Sequence, residues 1–223
     1  MKRFRIVQLI IRHRYAILFC ALLATIAIGP LLEALDFGDT TMETLLSISL
    51  VAAVFPIGVM QRRWTMLGFV GLVLVLRGLA SHLDSATISV VGAVLWAAVA
   101  VVAALGAIRF ALSSVRVNAE HLFAALSAYL LIGVCWGVIY VAVVRVDPQA
   151  MMFVGAPLPN GLGMGDAIYF SFVTLATLGY GDFTPATPVM RGLSVFEAII
   201  GQLYLAILVA RLVSLRAAAQ SSE

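Results

Sequence analysis

The chain has 223 residues, of which 63% are hydrophobic and 11% charged, with a formal net charge of +3. Soluble domains carry about 25% charged residues, so this composition excludes an ordinary soluble protein and points to a membrane. The positive balance does not mark a nucleic-acid binder, because the positions of the charges follow a membrane topology instead.

Apolar runs near the ~20-residue length of a membrane-spanning helix occur at 15–35, 42–60, 64–80, 86–110, 120–144 and 189–215. If these six helices alternate, eleven of the fourteen basic residues fall on one side, including Lys2, Arg3, Arg62, Arg63, Arg109, Arg116, Arg211 and Arg216. The opposite side collects Glu33, Asp36, Asp39, Glu43, Asp84, Asp147, Asp166 and Asp182. Basic residues stay on the cytoplasmic side, so both termini are expected in the cytoplasm. Thirteen of the fourteen basic residues are arginine, a bias that fits a GC-rich bacterial genome and hence a bacterial inner membrane.

The leading stretch "MKRFRIVQLIIRHRY" mixes arginines with Phe4, Ile6, Val7, Leu9, Ile10 and Ile11. It is expected to lie on the inner leaflet as a short amphipathic helix. A signal peptide is disfavoured, since no small-x-small cleavage site follows and removing the first span would leave an odd number. Residues 1–116 then form four spans. Voltage sensing needs several basic residues inside the membrane, yet the fourth span is uncharged until Arg109 and the third carries only Arg77. Classical voltage gating is not expected. Cys20 and Cys135 read as packing residues within spans, and His13, His82 and His121 as scattered residues at helix ends. No metal-ligand spacing and no nucleophile–base pair occurs, so neither an enzyme nor a bound cofactor is expected.

Residues 117–216 differ in kind. After the fifth span, 145–165 holds three prolines and four glycines and cannot be a regular spanning helix. The apolar stretch 166–176 follows. It is too short to cross a bilayer and suits a half-helix entering from outside, with Asp166 as its N-cap. Next comes "TLGYGDFTPATP", Thr177 to Pro188. Irregular backbone at this depth cannot face lipid; it must line a cavity or be buried in protein. Glycines at 179 and 181, alternating with Leu178 and Tyr180, let successive carbonyls point one way. The half-helix aims its partially negative end at the same place, which favours a cation. The final span follows, and 217–223 is a short tail.

With these residues in place, "TLGYGD" resembles the selectivity filter of tetrameric potassium channels, usually TVGYGD, and the resemblance runs from about 120 to 215. It implies an all-α membrane protein with six transmembrane helices per chain and a re-entrant pore helix and filter between the last two. It implies a homotetrameric pore in membrane lipid that conducts potassium ions and binds no nucleic acid. Potassium would be held by the carbonyls of Thr177, Leu178, Gly179 and Tyr180, with the Thr177 hydroxyl as an extra ligand and Gly181 completing the filter. Asp182 would line or brace the outer mouth, and Tyr169, Phe170 and Thr174 would support the filter from the pore helix. Ala176 replaces a frequent threonine, and Tyr169 and Phe170 stand where two tryptophans are frequent, which implies a looser aromatic cuff. In the last span Gly201 falls where many such channels place a hinge glycine, though a small residue there also permits close packing. Glu197 is an intramembrane carboxylate and so a functional candidate. It either bonds behind the filter, to Thr174 or Ser171, or adds negative potential to the cavity; Gln202 is expected to face that cavity. A weakly selective cation pore, or a transporter or assembly subunit with a filter-like loop, are the alternatives.

Overall fold

The computed structural model describes residues 13–34, 86–113, 118–159 and 161–220, with isolated positions between 44 and 71. The N-terminal amphipathic stretch, Arg77, His82 and most of the runs at 42–60 and 64–80 lie outside the described residues. In chain order the elements are α1 (Arg14–Ala34), α2 (Ala86–Leu112), α3 (Ala119–Val146), β1 (Met151–Phe153), β2 (Ala156–Pro157), α4 (Met164–Leu175), β3 (Phe183–Pro185) and α5 (Pro188–Gln220). Among the described residues, three segments are long and apolar enough to cross a membrane: Val91–Leu112, Ala119–Val146 and Pro188–Ser214.

Helix α3 is the hub, packing against α1, α2, α4 and α5. It starts where the Asn118 side chain accepts a hydrogen bond from the His121 amide at 3.1 Å, which satisfies one of the free first-turn donors. Glu120 in its first turn and Arg145 in its last both suit the helix dipole. Glu120 also accepts from the Tyr15 amide at 3.1 Å, tying α1 to the start of α3. Helix α2 buries Ala93, Trp96, Ala100, Ala103 and Ala107. That three-and-four spacing forms one buried stripe, in which the four alanines let helices approach closely around the large Trp96 ring.

The close crossing of α3 and α4 rests on two glycines. A Cβ added at Gly133 would meet the Phe172 ring at 2.6 Å, and one at Gly137 would meet Ile168 Cγ1 at 2.7 Å. Only glycine leaves room for both side chains.

Helix α4 has twelve residues and rises about 18 Å, against a hydrocarbon core of about 30 Å. It begins two residues earlier than the sequence indicated. Its N-cap is Gly163, in extended conformation and without a side-chain cap, so Asp166 is not the cap. Asp166 lies instead in the first turn, where its charge still meets the positive helix end. The segment read as an irregular linker holds a hairpin. Strands β1 and β2 pair antiparallel around Val154 and Gly155, and β3 joins the other side of β1 with Phe153 opposite Phe183. Val154 has φ 49° and Gly155 φ 77°, the two left-handed positions that a two-residue hairpin turn demands. A β-branched residue pays for such a φ with steric strain. Because β3 follows the "TLGYGD" stretch directly, this small sheet attaches the loop before α4 to the chain leaving that stretch.

Of the two cysteines, Cys135 is buried, its thiol directed at the Ala97 carbonyl at 3.7 Å. Cys20 departs from its expected packing role and lies exposed on α1.

Candidate functional site

The site begins where α4 ends. Ala176 takes the capping position with its amide on the Phe172 carbonyl at 2.9 Å. The Thr177 amide bonds to the Thr174 carbonyl at 3.0 Å, and the Leu178 amide to the Val173 carbonyl at 2.9 Å. This nested pair is the Schellman termination of a helix, whose left-handed residue is most often glycine. Here that residue is Thr177, with φ 57°. A left-handed conformation costs an L-residue with a Cβ about 1–2 kcal/mol, so something other than local preference keeps threonine here. The remaining terminal carbonyl, Leu175, accepts from Gln202 Nε2 on α5 at 3.4 Å.

Left-handed backbone then recurs at every second residue: Thr177, Gly179 at φ 59° and Gly181 at φ 80°. The stretch 176–181 runs along the exposed surface of the chain, with Leu178 58% and Tyr180 67% exposed. The result is an exposed ribbon of backbone issuing from the partially negative end of a half-length helix.

Beyond the ribbon, Asp182 is held from several sides. Its Oδ2 accepts from the Tyr169 hydroxyl at 2.7 Å and its Oδ1 from the Phe183 amide at 2.9 Å. Its carbonyl accepts from the Val154 amide of the hairpin at 2.7 Å. The Tyr169 hydroxyl in particular holds the Asp182 carboxyl below the ordinary carboxylate range. The Tyr169 ring also stacks on Tyr180, with centroids 6.3 Å apart and planes at 6°. Phe170 turns the other way, buried and edge-on to Tyr140 at 5.0 Å. Thr174 contributes its carbonyl to the helix end, as above.

Behind α4 the chain buries a polar cluster. Glu197 is 0% exposed. Its Oε1 lies 2.5 Å from Ser171 Oγ, and its Oε2 accepts from the Tyr140 hydroxyl. Ser171 Oγ also lies 2.8 Å from the Gly133 carbonyl. Of the two partners anticipated for Glu197, Ser171 is in contact; Thr174 is not among its hydrogen bonds. One turn further along both helices, Gly201 presses against α4. A Cβ there would lie 2.7 Å from Leu175 Cδ2 and 2.8 Å from its carbonyl oxygen. Glu197–Ser171 and Gly201–Leu175 are thus successive rungs between α4 and α5. Gln202, exposed beside Gly201, adds its bond to the second rung. Lower down, the Tyr204 hydroxyl donates to the Ala125 carbonyl at 2.5 Å, and Arg211 donates to the Leu112 carbonyl of α2 at 2.7 Å.

Sequence reasoning did not single out Tyr140, Gly133, Gly137, Tyr204 or Arg211 as members of this arrangement. The G-x-x-x-G spacing of Gly133 and Gly137 is the one signal that marked a close helix crossing on α3. Among the described residues, no group of acidic, histidine and cysteine side chains could hold a metal ion.

Comparison with known proteins finds relatives for part of the chain. A family model described as "Ion channel" matches residues 128–216. The protein LctB of Bacillus caldotenax is 32% identical over 143 residues, covering 59% of this chain and 96% of LctB. Two pore potassium channel c of Oryza sativa subsp. japonica is 47% identical over 51 residues, 23% of this chain and 11% of the relative. Two-pore potassium channel 2 of Arabidopsis thaliana is 41% identical over 49 residues, 22% of this chain and 11% of the relative. The chain therefore spans about a tenth of the length of these plant relatives. No solved structure gives a significant match. With three membrane-length apolar helices among the described residues and these relatives, the chain is an integral membrane protein that belongs to the ion channel family.

Proposed function

We propose that the chain is one of four identical subunits of a potassium-selective channel that conducts passively. The observation that carries this is the alternation of left-handed backbone at Thr177, Gly179 and Gly181, issuing from the capped end of α4. Rings of backbone carbonyls replace the hydration shell of an ion, and with one ribbon per chain a ring takes four chains. Potassium would be held by the carbonyls of Thr177, Leu178, Gly179 and Tyr180. A role for the Thr177 hydroxyl at the inner ring would explain why threonine persists at a backbone position that favours glycine. The relatives named as potassium channels favour potassium over other cations.

In this reading residues 117–216 are the pore region and α4 is a re-entrant pore helix. Six spans place both termini in the cytoplasm, and residues 1–116, whose fourth span is uncharged until Arg109, do not form a voltage sensor. The exposed apolar face of α5, with Val195, Ile199, Leu203 and Ile207 each at least half exposed, would meet the neighbouring subunits and the central cavity. Glu197 would act from behind the filter, Asp182 would brace the outer mouth, and Gln202 would stand at the cavity wall.

Purified protein in liposomes under opposed potassium and sodium gradients tests the proposal. Potassium-selective, barium-blocked flux from a tetramer is the expected result. Equal sodium and potassium flux would replace it with a weakly selective pore. A protein that neither assembles as a tetramer nor passes ions would point to a transporter or assembly subunit.

A further inference from the structure

The buried cluster behind α4 has more contacts than its hydroxyls have hydrogens. Three close oxygen–oxygen contacts are present: Tyr140 to Glu197 Oε2, Ser171 to Glu197 Oε1, and Ser171 to the Gly133 carbonyl. A tyrosine and a serine hydroxyl carry one hydrogen each, and a carbonyl carries none. Two hydrogens cannot fill three bonds. Tyr140 spends its hydrogen on Oε2. If Ser171 donates to the Gly133 carbonyl, its contact with Oε1 needs a hydrogen on the carboxyl group itself. That third hydrogen completes a directional chain from Glu197 to Ser171 to Gly133, and so from α5 through α4 to α3.

We propose that Glu197 is a buried proton-binding site: it is held as the neutral acid, and its proton completes the hydrogen-bond chain that backs the filter. The proposal rests on reading the chain as a cation pore for its functional part; the proton count itself does not. The surroundings agree. Glu197 is wholly buried, and its partners are neutral hydroxyls rather than cations. The titratable groups that face it come from α3: Tyr140 in direct contact, with Cys135 and Tyr129 further off. From α4 comes Ser171, and α5 itself adds Ser194 beside Tyr140. None of these neighbours is basic. Removing the proton would leave Ser171 with one hydrogen for two acceptors and place an unpaired charge in the interior. The α5–α4 rung or the α4–α3 link must then give way. Because Ser171 lies in the helix whose next turn ends at the filter, that loss loosens the filter's support.

Glu197→Gln is the discriminating variant, since an amide donates to Ser171 and accepts from Tyr140 as the neutral acid does. Liposome flux and infrared spectroscopy of the purified protein, labelled isotopically in glutamate, are measured from mildly acidic to alkaline buffer. The wild type is expected to show a protonated-carboxyl band that Glu197→Gln lacks. Alkaline buffer should remove this band and reduce potassium flux together, by roughly fivefold, the equivalent of one net hydrogen bond. Glu197→Gln should keep the acidic-buffer flux and lose the pH dependence. Ser171→Ala, which keeps the acid but cuts the chain, should show reduced flux already in acidic buffer. The inference is overturned if the carboxylate band alone is present wherever the wild type conducts, or if Glu197→Gln keeps the wild-type pH profile. A wild type that passes no ions at any pH would instead overturn the pore reading, and the band would still decide the proton.

Discussion

Helix α4 is held by a hydroxyl–carboxyl contact on each of two sides, and burial is the first difference between the two sites. Just past the ribbon Tyr169 donates to Asp182 in the open; behind the helix Ser171 and Tyr140 meet Glu197 with no exposure at all. Both sites pair a hydroxyl with a carboxyl, but the setting is not the same. An exposed contact exchanges one set of hydrogen bonds for those of water, so its net worth is small. In the interior an orphaned partner has no water to turn to, so breaking the contact costs the full desolvation of the group left behind. The outer contact therefore orients, whereas the inner one holds the helices together.

The comparison can be broken by substitution. Gly201→Val should have the largest effect, because its Cβ would collide with the Leu175 backbone carbonyl as well as its side chain. Overpacking of this kind costs about 1–3 kcal/mol or more, and the thermal midpoint in detergent should fall, as should the yield of the proposed tetramer. If Gly201→Val is tolerated, the lower rung is not rigid and Gly201 serves as a flexible point. Tyr140→Phe removes a donor from buried Glu197 and should lower stability by about 1–3 kcal/mol, measured by thermal unfolding. Thr177→Gly acts in the opposite sense on the exposed side. It should relieve left-handed strain and stabilise the fold by up to about 1 kcal/mol, while ion flux falls because the threonine hydroxyl is gone. Greater stability with unchanged selectivity would remove the hydroxyl from the site. Tyr169→Phe should have the smallest effect, leaving the thermal midpoint unchanged within error. Should it cost as much as Tyr140→Phe, burial is not what separates the two contacts.

The outer contact also has a pH signature. The Asp182 carboxyl is held below its ordinary range by Tyr169, so its contribution is present above the unfolded carboxylate pKa and is lost as pH falls through the lower folded value. Acid should loosen the Tyr169–Asp182 contact only in strongly acidic buffer. In Tyr169→Phe that loosening should begin at higher pH, read by an NMR titration of the Asp182 carboxyl.

Legibility in the sequence followed the range of the interactions. The half-length of α4 and the glycine alternation are local, and both were readable from spacing. An intramembrane glutamate is conspicuous because it is costly, so Glu197 drew attention without any partner being known. Tyr140 did not. It stands 57 residues from Glu197 on an otherwise apolar helix, where a tyrosine reads as core, and their meeting is set by how closely α3 approaches α4 at Gly133 and Gly137. The Val154–Gly155 turn was missed because valine is a poor signal for a left-handed position. Thr177 was missed as a backbone feature for the same reason: glycine logic assigns the unusual conformations to 179 and 181 and passes over the threonine two residues before the first of them. The cap of α4 moved from Asp166 to Gly163 because backbone geometry, rather than the most suitable side chain, decides where a helix starts.

The hairpin amide of Val154, bonded to the Asp182 carbonyl, turns the intervening chain into a closed loop. That loop contains the whole of α4 and the exposed ribbon, so the ribbon is tethered at both ends. Closing a loop limits the chain's freedom whatever sequence lies within it. Separating Asp182 from the hairpin must then release a hydrogen bond made 28 residues earlier in the chain. Deuterium uptake at the Val154 amide would thus time the breathing of a segment to which Val154 does not belong.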